Sequence, residues 1–190
     1  MFLRMMASLL MLFHLGFWGS EAPAPASTTR IDRVVAVVDD AIITENDVQI
    51  EAQLLEVDVI PCPPLEPPQS DILHLLEDRR VLEKLAGSRG LYVPTPSEIV
   101  QRRTQLLLNL GDKKNSFMQR WGFTEDSLDR FLSKRMTAER YVNRNLGRSI
   151  QTEVLANTPE WEQTYRQRYR PWMEERRNQV SIRRVGTPSP

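Results

Sequence analysis

The chain opens its structured part with a continuous run of valine and alanine, residues 34–38, which predicts a buried strand. Asp39-Asp40 interrupts the run as a turn signal, and Ala41 to Ile43 reads as a second short strand, giving a small hairpin. Thr44 then opens a helix reaching about residue 57. Its hydroxyl can accept the Asp47 N–H, and Glu45 and Asp47 suit the positive end of the helix dipole. The proline-rich stretch 61–68 forbids helix and predicts a stiff, extended link.

Helical spacing of apolar residues governs most of the chain beyond that link. Ser70-Asp71 starts a helix whose stripe is Ile72, Leu75, Leu76, Leu82, Leu85 and Ala86, with Gly90 as its expected stop. Thr95-Pro96-Ser97-Glu98 is a capping box with proline in the first turn, and Ile99, Leu106, Leu107 and Leu110 line the helix it opens, up to Gly111. A short helix over 115–121 ends at Gly122. Thr124-Glu125-Asp126 opens a long one carrying Leu128, Phe131, Leu132, Val142, Leu146 and Ile150. Thr158-Pro159-Glu160 opens the last helix, which Pro171 is expected to kink or restart. Val180, Ile182 and Val185 alternate with Ser181 and Arg183, with Arg184 out of step, as in a closing strand. The expected fold class is therefore mainly α: a compact helical domain with a small β-sheet formed by an N-terminal hairpin and a C-terminal strand. The strand at 180–185 is expected to return and pair with 34–38.

The first residues alter the picture of where this domain works. Met1 to Arg4 is a short positive start, residues 5–18 are apolar apart from Ser8 and His14, and residues 19–26 are small, polar and proline-containing. That is the layout of a secretory signal peptide, with Ala24-Pro25-Ala26 fitting the cleavage rule. The expected organisation is a signal peptide (or uncleaved anchor) over 1–26, a domain over 27–186 and a flexible tail over 187–190. The expected location is the periplasm, or the periplasmic face of an inner membrane if the anchor stays, in which case that segment is the only membrane contact.

Composition narrows the chemistry. The 190 residues carry 25 basic and 25 acidic side chains, so no basic excess favours nucleic acid. His74 is the only histidine outside the apolar N-terminal segment, and it has Glu77 and Asp78 nearby in sequence. A multi-histidine metal site or a histidine-based triad has little to draw on, and no phosphate-cradling glycine loop is present. Asp39-Asp40 and Glu174-Glu175 read as a turn and a solvated helix face. No catalytic residue, metal or cofactor is expected. Cys62 is the only cysteine, so no internal disulfide can form; it reads as an incidental loop cysteine, with an intermolecular disulfide as the alternative.

The segment Ile31-Asp32-Arg33-Val34-Val35-Ala36-Val37-Val38-Asp39-Asp40-Ala41-Ile42-Ile43-Thr44-Glu45-Asn46-Asp47-Val48 resembles the start of the SurA family of periplasmic chaperones. Trp172-Met173-Glu174-Glu175-Arg176-Arg177, followed by residues 180–185, resembles the C-terminal helix and strand of that family. The resemblance implies a chaperone core in which the C-terminal piece folds back onto the N-terminal one. Parvulin isomerase domains are inserted between the two pieces in the family, and such a domain needs roughly a hundred residues. Here only about 151–158 separates them, so no prolyl isomerase activity is implied. The insert at 61–68 departs from the family pattern.

The function that the resemblance implies is an ATP-independent holdase for unfolded exported proteins, outer-membrane proteins above all. The candidate peptide-binding residues are Leu108, Met118, Trp121, Phe123, Met136, Tyr141, Trp161, Tyr165 and Tyr169, apolar or aromatic side chains able to adapt to varied clients. The alternative is a non-catalytic interaction subunit for one dedicated envelope partner. A homodimer through a strand edge or a swapped terminal helix is also open.

Overall fold

A computed structural model describes residues 32–57, 71–87, 90–156 and 158–186. The expectations for 1–26, Cys62, the proline-rich 61–68 and the tail 187–190 lie outside the described residues.

Strands β1 (Val34–Val38) and β2 (Ala41–Thr44) form the hairpin, and β3 (Ile182–Arg184) pairs antiparallel with β1, giving the order β2-β1-β3. The return of the C-terminal strand is thus as the sequence predicts. The reason for the tight turn is visible at Asp39, whose φ is 52°. Its N–H donates to the Ser181 carbonyl at 2.7 Å, and its Oδ1 accepts from the Ser181 N–H at 2.8 Å. The pairing of β1 with β2 shifts between Val34 and Ala36, a bulge that gives the sheet an extra residue at Val35. Only one face of β1 is buried: Ala36 and Val38 point inward with Ile43, while Ile42 on β2 is exposed. The valine run is a one-sided strand, because the sheet is covered by helices on a single face.

Helices α1 (Glu45–Val57), α2 (Ile72–Ala86), α3 (Pro96–Leu110), α4 (Lys114–Arg120), α5 (Glu125–Val142), α6 (Arg148–Gln151) and α7 (Pro159–Arg177) make up the rest. A 3₁₀ turn, Gly111–Lys113, leads into α4, and a π-helical stretch, Asn143–Gly147, joins α5 to α6. Most boundaries follow local chemistry. Thr44 and Asp47 cap α1 reciprocally, at 3.2 and 3.0 Å. Thr95 and Glu98 form the predicted box on α3, and Thr124 with Ser127 forms one on α5. Thr95→Ala removes one orphan N–H acceptor and loosens its partner, so about 1 kcal/mol of stability should be lost. A shifted urea midpoint at unchanged slope would record it.

One boundary differs from expectation, and α7 does not restart at Pro171. Helix α2 stops at Ala86, and Gly87 rather than Gly90 closes it, with φ 57° and its N–H bonded to the Glu83 carbonyl at 3.1 Å. Helix α7 runs unbroken through Pro171. Pro171 lies on the exposed side, whereas Trp161, Tyr165, Tyr169 and Met173 hold both halves of the helix in the core. Packing on the inner face outweighs the one hydrogen bond that proline removes.

Two apolar cores result. The first joins the sheet to α2, α7 and the end of the α5–α6 rod, through Ile43, Val81, Leu82, Val142, Ile150 and Tyr165. The second gathers Ile50, Leu54, Leu106, Leu110, Phe117, Leu128 and Leu132 from α1, α3, α4 and the start of α5. Arg135 stands between them on α5, buried, with its guanidinium 3.2 Å from the Glu51 carboxylate. Arg79 on α2 grips the same carboxylate with two bonds, at 2.5 and 2.9 Å. Buried charge is therefore concentrated at the junction of the cores.

Candidate functional site

The second core has a rim of partly buried side chains. Around it stand six half-buried apolar side chains: Val57, Leu107, Met118, Trp121, Phe123 and Phe131. Their position follows from the α4–α5 corner. Gly122 takes φ 63°, a left-handed value, and so turns the chain sharply out of α4. The Phe123 N–H then bonds back to the Met118 carbonyl at 2.8 Å, and Thr124 caps α5 directly afterwards. The corner thus presents Trp121 and Phe123 on either side of one glycine.

The rings are ordered against one another. Phe117, fully buried, stacks on Phe123 with centroids 5.7 Å apart and planes 20° apart. Phe123 meets Phe131 at 5.6 Å and 60°. The Trp121 indole donates to the Gln53 side-chain oxygen at 2.9 Å, and the Arg120 guanidinium lies 4.9 Å from its ring centre. A rim of this kind offers ring faces, one adaptable thioether and one cation above an indole. It can take up apolar and aromatic side chains with little demand on their geometry.

The nine candidate residues do not share one surface. Met118, Trp121 and Phe123 are brought together on the rim. Leu108 is 68% exposed, on the face of α3 opposite its buried Leu106 and Leu110. Met136 is half-buried beside Glu98, Gln101, Arg102 and Gln105 in a shallow pocket between α3 and α5. Tyr141 packs against Tyr92 at 5.1 Å and Trp172 at 6.2 Å, on the flank of the first core. Trp161, Tyr165 and Tyr169 are interior residues, stacked in series at 5.0 and 5.9 Å, and they offer no surface to a ligand. Their i, i+4, i+8 spacing on α7 is a core stripe. Phe131, Leu107 and Val57 also belong to the rim, although helical spacing alone marks them only as core-facing.

No protein-family model matches this chain, and no curated protein matches it either.

A second polar cluster ties the chain ends together. Glu77 on α2 is fully buried and accepts from Arg177 at 2.8 Å and from Arg184 at 2.6 and 3.1 Å. Asp78 accepts from Arg177 at 2.5 Å. Burial pushes the Glu77 carboxyl up, but the hydrogen bonds and charges of Arg184 and Arg177 outweigh it and hold it below the ordinary glutamate range. For Asp78 burial wins over Arg177 and His74, and its carboxyl is raised. His74 lies 3.9 Å from Glu77 and 3.8 Å from Asp78. Because Arg177 and Arg184 come from α7 and β3, the cluster is a clamp between α2 and the C-terminal piece.

Among the described residues, no group of three or more metal-ligating side chains is arranged to hold an ion, and no helix is long and apolar enough to cross a membrane.

Proposed function

We propose that this chain is an ATP-independent holdase of the periplasm, a SurA-like chaperone core without isomerase domains. It binds unfolded exported polypeptides, outer-membrane proteins foremost, on the rim of its second core. The observation that carries this reading is the group Met118, Trp121, Phe123 and Phe131, half-buried around a packed core instead of closed within it. A client segment laid on the rim removes water from aromatic and thioether surface on both sides, which drives association without nucleotide. The side chains are already anchored by stacking and by the Trp121–Gln53 bond, so little ordering is lost on binding.

The β3–β1 pairing and the Glu77 clamp support the same reading. They attach the C-terminal helix and strand to the N-terminal part, the arrangement that the resemblance implies for such a core.

The test is light scattering of an unfolded outer-membrane β-barrel protein diluted from urea. Suppression at near-stoichiometric ratio, without nucleotide, is expected. A folded sample that leaves aggregation unchanged would remove the general holdase and leave a subunit for one dedicated partner.

A further inference from the structure

A cleft of about 310 Å³ opens between α2 and α5. Its walls are two facing helices. From α5 come Arg130, Phe131, Lys134 and Arg135, and from α2 come Leu76, Arg79, Arg80 and Glu83, with Asp47 at one end. The helical spacing of 130, 131, 134 and 135 places all four on one side of α5.

The charges in this cleft are unequally committed. Arg79 and Arg135 are held by buried Glu51. Arg80 bonds Glu83 at 2.8 Å and lies 3.9 Å from Asp47, yet its Nε is buried without a hydrogen-bond partner. Arg130 and Lys134 are exposed and form no ion pair or hydrogen bond with the described residues. With Glu51 counted, five cationic side chains thus meet three carboxylates around a space bounded by Leu76 and Phe131. The surplus is positive and has apolar walls beside it.

We infer that this cleft binds an acidic segment of polypeptide, with a carboxylate between Arg130, Lys134 and Arg80 and a neighbouring aliphatic or aromatic side chain against Phe131 and Leu76. Phe131 also belongs to the aromatic rim, so one extended chain can meet both surfaces. Asp47 and Glu83 argue for a singly charged carboxylate over a phosphate, since a second negative charge meets repulsion there. The inference rests on the reading of the protein as a polypeptide binder and adds a preference for acidic clients with apolar neighbours.

Calorimetric titration of the full chain with an acetylated and amidated peptide of alternating leucine and glutamate tests it. The matching leucine–glutamine peptide is the control. The glutamate peptide should bind on the order of tenfold more tightly, and the R130Q/K134Q variant should abolish that difference. Added sodium chloride should weaken the glutamate peptide selectively. Both substituted residues are exposed and unpaired among the described residues, so the variant should keep its thermal midpoint. Equal binding of the two peptides, or unchanged binding by R130Q/K134Q, would overturn the assignment. Displacement by inorganic phosphate at concentrations where acetate has no effect would also overturn it, in favour of a phosphate site. Aggregation suppression of a neutral client by R130Q/K134Q is a separate readout. If it persists while peptide selectivity fails, the cleft assignment falls and the holdase stands; if suppression fails in the wild type, the holdase falls.

Discussion

Glu51→Ala should lower the unfolding free energy by about 3–5 kcal/mol at neutral pH, because it removes the buried carboxylate that two buried guanidinium groups share. Glu51 is 1% exposed, and it accepts from Arg79 twice and from Arg135 once. Arg135 also lies 3.6 Å from Glu139. Urea unfolding followed by circular dichroism measures the loss. A compensated variant such as E51M/R79L/R135M should recover most of it, since apolar replacements of similar volume remove the desolvation penalty as well as the attraction. A loss below about 1 kcal/mol for Glu51→Ala would mean that the pair is exposed to water.

The pH dependence follows from the same group. Burial pushes the Glu51 carboxyl up, and the charges of Arg79, Arg135 and Arg80 more than reverse this, so its folded pKa lies below the ordinary glutamate value. A depressed folded pKa means the unfolded chain binds the proton more readily. The stabilisation is therefore complete above the ordinary glutamate range and is lost as pH falls through the lower folded value. Glu51→Gln should flatten this part of the acid unfolding curve.

Glu77→Ala is expected to cost less, about 1–3 kcal/mol, by a different route. It frees Arg177 and Arg184 from a carboxylate that is fully buried on α2. Arg177 keeps Asp78, but Arg184 keeps only a 3.5 Å contact with Asp71. The loss should fall first on the C-terminal piece. Hydrogen exchange should quicken along β3 and the end of α7 before it quickens in α3 or α4. Uniform quickening would contradict a local clamp. The two adjacent carboxylates also oppose each other in acid. Glu77, lowered in the fold, loses its contribution as pH falls, whereas Asp78, raised by burial, gains stability over the interval between its unfolded and folded values.

How much of the fold and the site is legible in the sequence depends on the kind of signal. Helix starts are legible because a Thr-x-x-Glu or Thr-x-x-Ser pattern encodes its own hydrogen bonds, as at Thr95 and Thr124. The hairpin and its return strand are legible from β-branched runs at both ends. The stop at Gly87 is not, because Gly87 and Gly90 carry the same local signal, and only the packing of Ala86 decides between them. The passage through Pro171 is hidden because the inner face of α7 holds the helix from outside the local sequence. The buried charges are invisible for a related reason. Arg135 sits between Leu132 and Ala138 on the inward side of α5, and Glu51 follows Ile50 on α1, yet periodicity counts charged residues as solvent-facing. At the candidate site, Met118, Trp121 and Phe123 are three of the nine apolar or aromatic candidates, and the turn at Gly122 that gathers them is seen only in the fold. Trp161, Tyr165 and Tyr169 are not separable from them by composition, since a core stripe and a binding stripe use the same side chains.

The central claim is that the rim of Met118, Trp121, Phe123 and Phe131 is where clients bind. A photo-crosslinking amino acid at Phe123 tests it most directly, with one at Leu155 as the control. Leu155 is 78% exposed and belongs to neither core. Illumination with an unfolded outer-membrane protein should capture the client through position 123 and not through 155, and a folded client should be captured by neither. Equal capture at both positions, or capture at 155 alone, would contradict the account.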